Sequence, residues 1–198
     1  MRKLFTVFMI LVLGVSANAQ TDCSELYFSE YIEGGGYNKA IEIYNPSSSE
    51  IDLSSYVLVL LGNGNVIPTD TIMFSKKVPA GDVFVVAHTS AADSIKDVAD
   101  RLDGGIANWN GDDAIALVKI VGMSIDTIDV FGVVGERKNW TVGNDDTKDN
   151  TIKRKASVKH GTKKWDANEW VAYAKDLTVF LGAHSSACHA PTITKPTV

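Results

Sequence analysis

Residues 26–60 read LYFSEYIEGGGYNKAIEIYNPSSSEIDLSSYVLVL. Short runs rich in Leu, Ile, Val, Tyr and Phe alternate here with groups that favour turns, namely Gly34-Gly35-Gly36 and Asn45-Pro46. Proline cannot donate a hydrogen bond to a neighbouring strand, so Pro46 ends one run, and the serines after it suit a turn. The segment therefore predicts three short strands joined by turns.

The same pattern continues along most of the chain. Turn-forming groups at residues 62–64, 79–81 and 110–111 separate further runs of this kind. The predicted strands are residues 26–32, 39–44, 56–61, 71–74, 83–88, 114–119 and 125–134. Seven short strands at this spacing predict an all-β protein, either a sandwich or a barrel.

Alternation within a run predicts which way its side chains face. Ile41 and Ile43 lie on one face of their strand, and Ala40, Glu42 and Tyr44 lie on the other. An antiparallel sheet with one face on the core and one face in water has this pattern. We therefore expect Glu42 to be exposed to water.

Glu30 breaks the pattern of its own strand. At a period of two it shares a face with Leu26, Phe28 and Ile32, which places a carboxylate in an apolar row. A buried carboxylate needs a cation or several hydrogen-bond donors. We expect backbone amides or one of three cations to supply them. The three cations are Lys39, Lys119 and Arg154.

One segment has helical instead of alternating spacing. Ser90 and Asp93 have the spacing of a capping box, and apolar residues then recur three, four and seven positions apart. These apolar residues are Ile95, Val98, Ala99 and Leu102. They predict one connecting helix over residues 90–103.

Composition limits the class of protein. The chain has 198 residues, of which 45% are hydrophobic and 22% are charged. These fractions fit one soluble globular domain, and they exclude a disordered chain and a polytopic membrane protein. The formal net charge of −5 argues against generic binding to nucleic acid or to anionic lipid surfaces.

The first nineteen residues have the order of a secretory signal peptide. Arg2 and Lys3 precede an apolar run over residues 4–15, and Ala17-Asn18-Ala19 is a small-x-small cleavage site. A membrane anchor is the alternative, but the run is shorter than the roughly 20 residues that a spanning helix needs. We therefore expect cleavage after Ala19 and export to the periplasm, the cell surface or the medium.

Export bears on the two cysteines, Cys23 and Cys188. In an oxidising compartment an even pair predicts one disulfide, here joining the two ends of the mature chain, and two free thiols are the alternative. The predicted organisation is a signal peptide (1–19), a lead-in (20–25), a β-sandwich domain (26–184) and a tail (185–198) that is rich in Pro and Thr.

Several stretches of the chain are characteristic of one family. The most specific are NKAIEIYNP at residues 38–46 and NGDDAIAL at residues 110–117, and VPAGDVFVV (78–86), IDVFG (128–132) and TIKRK (151–155) occur in the family's order. With them, residues 26–184 resemble the lamin tail domain family, in the version that bacteria export and that often accompanies extracellular nucleases. The resemblance implies an immunoglobulin-like β-sandwich used for binding or placement, with no chemistry of its own.

Two acidic groups are candidate calcium ligands. Asp112 and Asp113 follow the Asn110-Gly111 turn, and we expect them to accept hydrogen bonds from turn amides, with calcium binding as the alternative. Asp145, Asp146 and Asp149 lie in a second acidic run that lacks the glycine and the distal glutamate of an EF-hand. We expect a solvated loop there and no resident cofactor, with calcium again the alternative.

Positive charge is concentrated in one stretch, residues 153–164, which contains no acid. Such a cluster can contact a polyanion such as DNA or an acidic glycan, with a nearby tryptophan stacking on a base or a sugar. The alternative pairs these charges with the preceding acidic run and places Trp165 and Trp170 in the core. The candidate polyanion contacts are Lys153, Arg154, Lys155, Lys159, Lys163 and Lys164.

Catalytic motifs are missing from the sequence. It has no G-x-S-x-G, no H-E-x-x-H and no phosphate-binding glycine loop. We therefore expect an exported, non-catalytic module that contacts a protein, a glycan or a nucleic acid. A DNA-presenting accessory of an extracellular nuclease system is the alternative, and a hydrolase that uses Glu30, Glu42 or the Asp112-Asp113 pair is a third hypothesis.

Overall fold

The computed structural model describes residues 22–189, so the predicted signal peptide and residues 190–198 lie outside the described residues. Short strands dominate this part of the chain, with one short helix, α1 (Asp93–Lys96), and three 3-10 turns (Leu53–Ser55, Gly62–Gly64 and Ala167–Glu169). The strands are β1 (Tyr27–Glu33), β2 (Lys39–Tyr44), β3 (Ile51–Asp52), β4 (Tyr56–Leu61), β5 (Asp70–Met73), β6 (Lys77–Val78), β7 (Val83–Ala87), β8 (Arg101–Leu102), β9 (Ala114–Val121), β10 (Ser124–Phe131), β11 (Thr141–Val142), β12 (Asp145–Asp146), β13 (Asn150–Arg154) and β14 (Trp170–Tyr173).

The strands form two main sheets. The six-stranded sheet has the order β14-β13-β1-β2-β7-β8, and the four-stranded sheet has the order β10-β9-β4-β5. Two short ribbons, β3–β6 and β11–β12, lie beside them. Within the described residues every strand pair is antiparallel except β7–β8. Each of the seven strands expected from the sequence overlaps a strand of the structure.

The core lies between the two sheets. Ile41 and Ile43 of β2 pack in one buried cluster with Leu58 of β4 and with Phe131 of β10. Tyr31 stacks on Phe131 with ring centroids 4.0 Å apart, an arrangement that adds a specific contact to the area buried. The structure therefore confirms the all-β, immunoglobulin-like sandwich, and it confirms that Ile41 and Ile43 face the core.

The outer face of the six-stranded sheet is covered, so the expectation that Glu42 faces water is wrong. Every residue of β1 and β2 is buried. Residues 174–189, called the C-terminal strap below, cross this face, where Leu181 packs in a second apolar cluster with Ile32 and Val85. The strap is also held by a hydrogen bond from Thr151 Oγ1 to the Leu177 carbonyl (2.9 Å).

The expected helix over residues 90–103 is mostly absent. Only Asp93–Lys96 is helical, its N-cap is Ala92 without a side-chain bond, and the Ser90–Asp93 capping box does not form. The following residues extend instead, because Arg101–Leu102 pairs in parallel with β7. Asp100 Oδ2 also accepts a hydrogen bond from the Val85 amide (2.8 Å), which holds this edge strand in place.

A disulfide closes the described fold. Cys23 and Cys188 are bonded, as predicted, with their Cα atoms 5.5 Å apart and a sequence separation of 165. The Cys23 amide donates to the Lys159 carbonyl (2.8 Å), and the Ala187 amide donates to the Ala156 carbonyl (2.7 Å). Both ends of the described chain are therefore fixed to the loop that follows β13.

A buried ion pair links the two sheets. Asp129 of β10 and Arg154 of β13 are 0% and 1% exposed, and Arg154 Nη1 donates to Asp129 Oδ2. The amides of Phe28 and Thr162 also donate to the Asp129 carboxylate, each at 2.8 Å. The other terminal nitrogen of Arg154, Nη2, donates to Glu169 Oε2. Buried charges persist when they are paired and hydrogen-bonded in this way.

Breaking this pair should destabilise the protein strongly. We expect Arg154→Gln to lower the free energy of unfolding by about 3–5 kcal/mol, because it leaves Asp129 buried without its cation. The matched control is Lys155→Gln, one residue along and exposed, which should change the value by less than about 0.5 kcal/mol. Urea denaturation followed by circular dichroism measures both, and equal effects of the two substitutions would contradict the structural role of Arg154.

Candidate functional site

The structure brings two glutamates together beneath the C-terminal strap. Glu30 of β1 pairs in register with Glu42 of β2 on one side and with Lys153 of β13 on the other. The pairing of β1 shifts between Phe28 and Glu30, so a β-bulge changes which side chains face the core. Glu30 therefore lies on the outer face of the sheet, and the expected row with Phe28 is wrong.

None of the three cations expected beside Glu30 reaches it. Lys39 pairs with Glu33 and Lys119 pairs with Glu25, each at 2.7 Å, while Arg154 pairs with Asp129 and Glu169. Glu30 is 0% exposed, and neither of its carboxyl oxygens has a hydrogen-bond partner within residues 22–189.

Burial therefore controls the ionisation of Glu30. Burial, together with the neighbouring Glu42 and against the opposing charge of Lys153, raises the pKa of this carboxyl to about 8. Burial also raises the pKa of Glu42, although Ser29 Oγ (2.6 Å) and the Gly182 amide (2.7 Å) donate hydrogen bonds to it. At neutral pH Glu30 is protonated, whereas Glu42 holds the strap through its bond to Gly182.

His184 of the strap lies over the same face. Its ring centroid is 4.9 Å from that of Tyr44 and 6.0 Å from that of Tyr27, and neither ring nitrogen has a hydrogen-bond partner in the described part of the chain. Burial, together with the charges of Lys153 and Arg154, lowers the pKa of His184 to about 4. This cluster contains an acid and an imidazole, but a substrate in solution cannot reach Glu30 while the strap covers it.

The first acidic pair has structural contacts. Asp113 is buried and accepts hydrogen bonds from the Asn63 amide (2.5 Å) and from the Asn110 amide (2.9 Å), as expected for a turn carboxylate. Asp112 differs from that expectation, because it forms an ion pair with Arg137 (3.0 Å).

In the second acidic run, the carboxylates of Asp146 and Asp149 have partners other than those of Asp112 and Asp113. Asp146 accepts from the Lys148 amide (2.7 Å), Asp149 pairs with Lys175, and Asp145 is exposed on β12. In the part of the chain that the structure describes, no group of three or more His, Cys, Asp or Glu side chains is placed to hold a metal ion.

Several basic side chains of residues 153–164 already have partners within the protein. Arg154 is buried in the ion pair between the sheets, so it is not available as a polyanion contact, and Lys153 lies over the Phe180 ring at 4.3 Å. Lys163 pairs with Asp126 and Lys159 pairs with Asp22.

The remaining contacts of this stretch also differ from the sequence interpretation. Lys155 donates to the Asn168 carbonyl (2.6 Å). The expected pairing with the preceding acidic run does not form, since Asp149 pairs with Lys175 instead. Trp170 is in the core and Trp165 packs against it, as the alternative interpretation expected.

Sequence analysis missed one surface feature altogether. An apolar cleft of about 410 Å³ lies on the outer face of the four-stranded sheet, with Val59, Ala116 and Val118 among its lining residues. Its signal in the sequence is the unbroken run YVLVLL at residues 56–61. A strand with one face in water alternates instead, so this run predicts apolar side chains on both faces.

These features define an immunoglobulin-like β-sandwich whose buried acids and bases mostly serve structural contacts. The sequence profile described as Lamin Tail Domain matches residues 19–132. The match covers more than half of the chain, so the chain belongs to the lamin tail domain family. It ends just after β10, and thus β11–β14 and the C-terminal strap lie beyond it. No curated protein and no solved structure matches the chain.

The glutamate pair predicts a pH dependence of stability. Between the ordinary pKa of 4.5 and the folded value of about 8, the unfolded chain loses the Glu30 proton while the folded chain keeps it. Stability therefore falls as pH rises through this range, by up to about 1.4 kcal/mol per pH unit. A Glu30→Gln variant cannot ionise, so its stability relative to the wild type should rise by roughly 2–4 kcal/mol between pH 5 and pH 8.

Denaturant titrations at several pH values measure this difference. The matched control is Glu50→Gln, which alters a half-exposed glutamate on the surface and should give a curve parallel to that of the wild type. If the Glu30→Gln curve were also parallel to the wild-type curve, Glu30 would not be a buried, protonated acid.

Proposed function

We propose that this chain is an exported, non-catalytic lamin tail module that binds or places a macromolecular partner, which is a protein, a glycan or a nucleic acid. The observation that carries the proposal is the family match over residues 19–132. Lamin tail domains are binding and scaffolding domains of immunoglobulin-like fold, so contact through the surface is the function that membership implies.

The disulfide supports export. Disulfides such as Cys23–Cys188 persist in oxidising compartments and are rare in the cytosol. The N-terminal sequence has the order of a signal peptide, and cleavage after Ala19 leaves Cys23 close to the new N-terminus. No helix between residues 22 and 189 is long and apolar enough to cross a membrane.

The accessibility of the acids supports a non-catalytic role. A hydrolase needs a nucleophile, a base and a charge-stabilising group within reach of one substrate. Glu30 and Glu42 are both buried under the strap, and Asp113 is buried among turn amides.

Presentation of DNA is the second candidate function, and the cluster of basic residues at 153–164 is the observation that favours it. The exposed lysines that remain for it are Lys155, Lys159, Lys163 and Lys164. Two of these, Lys159 and Lys163, already pair with carboxylates, so a phosphate would have to displace exposed ion pairs, which are individually weak.

Export and the disulfide can be tested together. In a bacterial host that exports the full chain, we expect the recovered protein to begin at Gln20 and to contain no thiol that can be alkylated. Intact mass before and after alkylation, with and without reductant, gives both results. A retained N-terminus or two reactive thiols in natively exported protein would refute the export proposal.

The absence of turnover is the test of the non-catalytic role. Purified mature protein should show no nuclease, esterase, protease or glycosidase activity, with or without divalent metal, and activity abolished by Glu30→Gln or Asp112→Asn would overturn this.

Any DNA binding should fall steeply with salt and should weaken in a Lys155→Gln/Lys159→Gln/Lys164→Gln variant. The control variant, Lys76→Gln/Lys77→Gln/Lys96→Gln, loses as many charges elsewhere and should bind as the wild type does.

A further inference from the structure

The outer face of the four-stranded sheet is apolar across all four strands. One row of cross-strand neighbours runs from Thr71 through Val59 and Ala116 to Val130, and a second row consists of Met73, Val57, Val118 and Thr127. The strap covers the outer face of the other sheet, which bears charged residues. The apolar face packs in part against Trp140, Val133 and Trp165, and a cleft remains beside them over floor residues such as Val59 and Ala116, which are 7% and 5% exposed.

Small side chains make the floor of this cleft a trough. Ala116 lies between Val59 and Val130 in the first row, and exposed apolar residues at the margins include Val66 and Ile125, 70% and 72% exposed. The volume of about 410 Å³ lies within the range of small-molecule sites.

Two lysines, Lys163 and Lys164, lie at one end of the cleft. A second cavity of about 430 Å³ shares Val130, Val134 and Lys163 with the first, and it is also lined by Lys164 and Trp165. Lys164 has no carboxylate partner among residues 22–189. Lys163 pairs with Asp126, but both side chains are 55% exposed, so the pair is weak and can exchange for another anion.

The chemistry of the lining limits what can occupy it. The backbone groups of the floor strands are used within the sheet, and the polar residues that line the first cavity are Thr71, Thr127 and Lys163. A peptide strand would leave its own amides unpaired on this face, which is costly. The body of the ligand is therefore hydrocarbon, and its one polar end is anionic.

We infer that this cleft binds a free fatty acid, with the alkyl chain along the Ala116 trough and the carboxylate at Lys163 and Lys164. The inference does not depend on the macromolecular partner proposed above, because it concerns a different ligand. The site also lies on the face of the sandwich opposite to the strap.

Calorimetric titration of the mature protein with dodecanoate, well below micelle formation, tests the inference. We expect saturable binding of one dodecanoate per chain. Dodecyltrimethylammonium, which has the same chain and the opposite charge, should bind at least tenfold more weakly. Equal binding of the two amphiphiles, or no binding of dodecanoate, would overturn the inference.

Variants locate the site. Lys163→Gln/Lys164→Gln should weaken dodecanoate binding roughly five- to tenfold, as expected for the loss of two exposed charge contacts. The matched control is Lys155→Gln/Lys159→Gln, which removes two lysines that line a different cavity, and it should bind as the wild type does. A loss of binding in the control equal to that in the first variant would contradict the assignment.

The floor of the trough is tested separately. Ala116→Leu adds bulk to the floor and should abolish binding of both amphiphiles, and Thr127→Phe should block the trough from its edge if the first variant does not fold. Unaltered binding in the folded variant would place the ligand elsewhere.

Dimerisation through this face without dodecanoate binding, or binding only to anionic vesicles, would show that a second copy or a membrane is the occupant and would overturn the inference.

Discussion

The buried pair between Asp129 and Arg154 joins the two halves of the sandwich at a point where both are irregular. The pairing of β10 shifts between Thr127 and Asp129, and the pairing of β1 shifts between Phe28 and Glu30. The Asp129 carboxylate accepts the Phe28 amide at this position. Asp129 lies at the bulge of β10, and it and Arg154 hydrogen-bond to the backbone of Phe28 beside the bulge of β1, so one charge pair contacts both irregular positions.

This arrangement also determines the position of the loop after β13. Asp129 accepts the Thr162 amide, and Gly161 lies so close to β10 that an added Cβ would be 2.6 Å from the Ile128 carbonyl oxygen. That loop also receives Cys23 and the end of the strap. The disulfide and the cover over the six-stranded sheet therefore depend on a charge pair far from either cysteine in sequence.

Much of the sheet structure could be predicted from the sequence, because alternation and turn residues are local signals. The seven expected strands and the inward faces of Ile41 and Ile43 depended only on such signals. β13 was missed because its Lys-Arg-Lys run has the composition of a solvated surface. Only Asp129, distant in sequence, makes Arg154 a core residue. The bulge at Ser29 and the cover over Glu42 likewise depend on contacts between distant segments, which no local pattern contains.

The bond between Cys23 and Cys188 has a mechanical consequence. Since it joins the two ends of the described fold, a force applied between the flanking segments passes through two sulfur atoms and not through the strand ladders. The sheets would carry no load until that bond was reduced. A module closed in this way can hold an attached partner under tension while its sandwich stays folded, and reduction of the disulfide would decide when the tension reaches the hydrogen bonds.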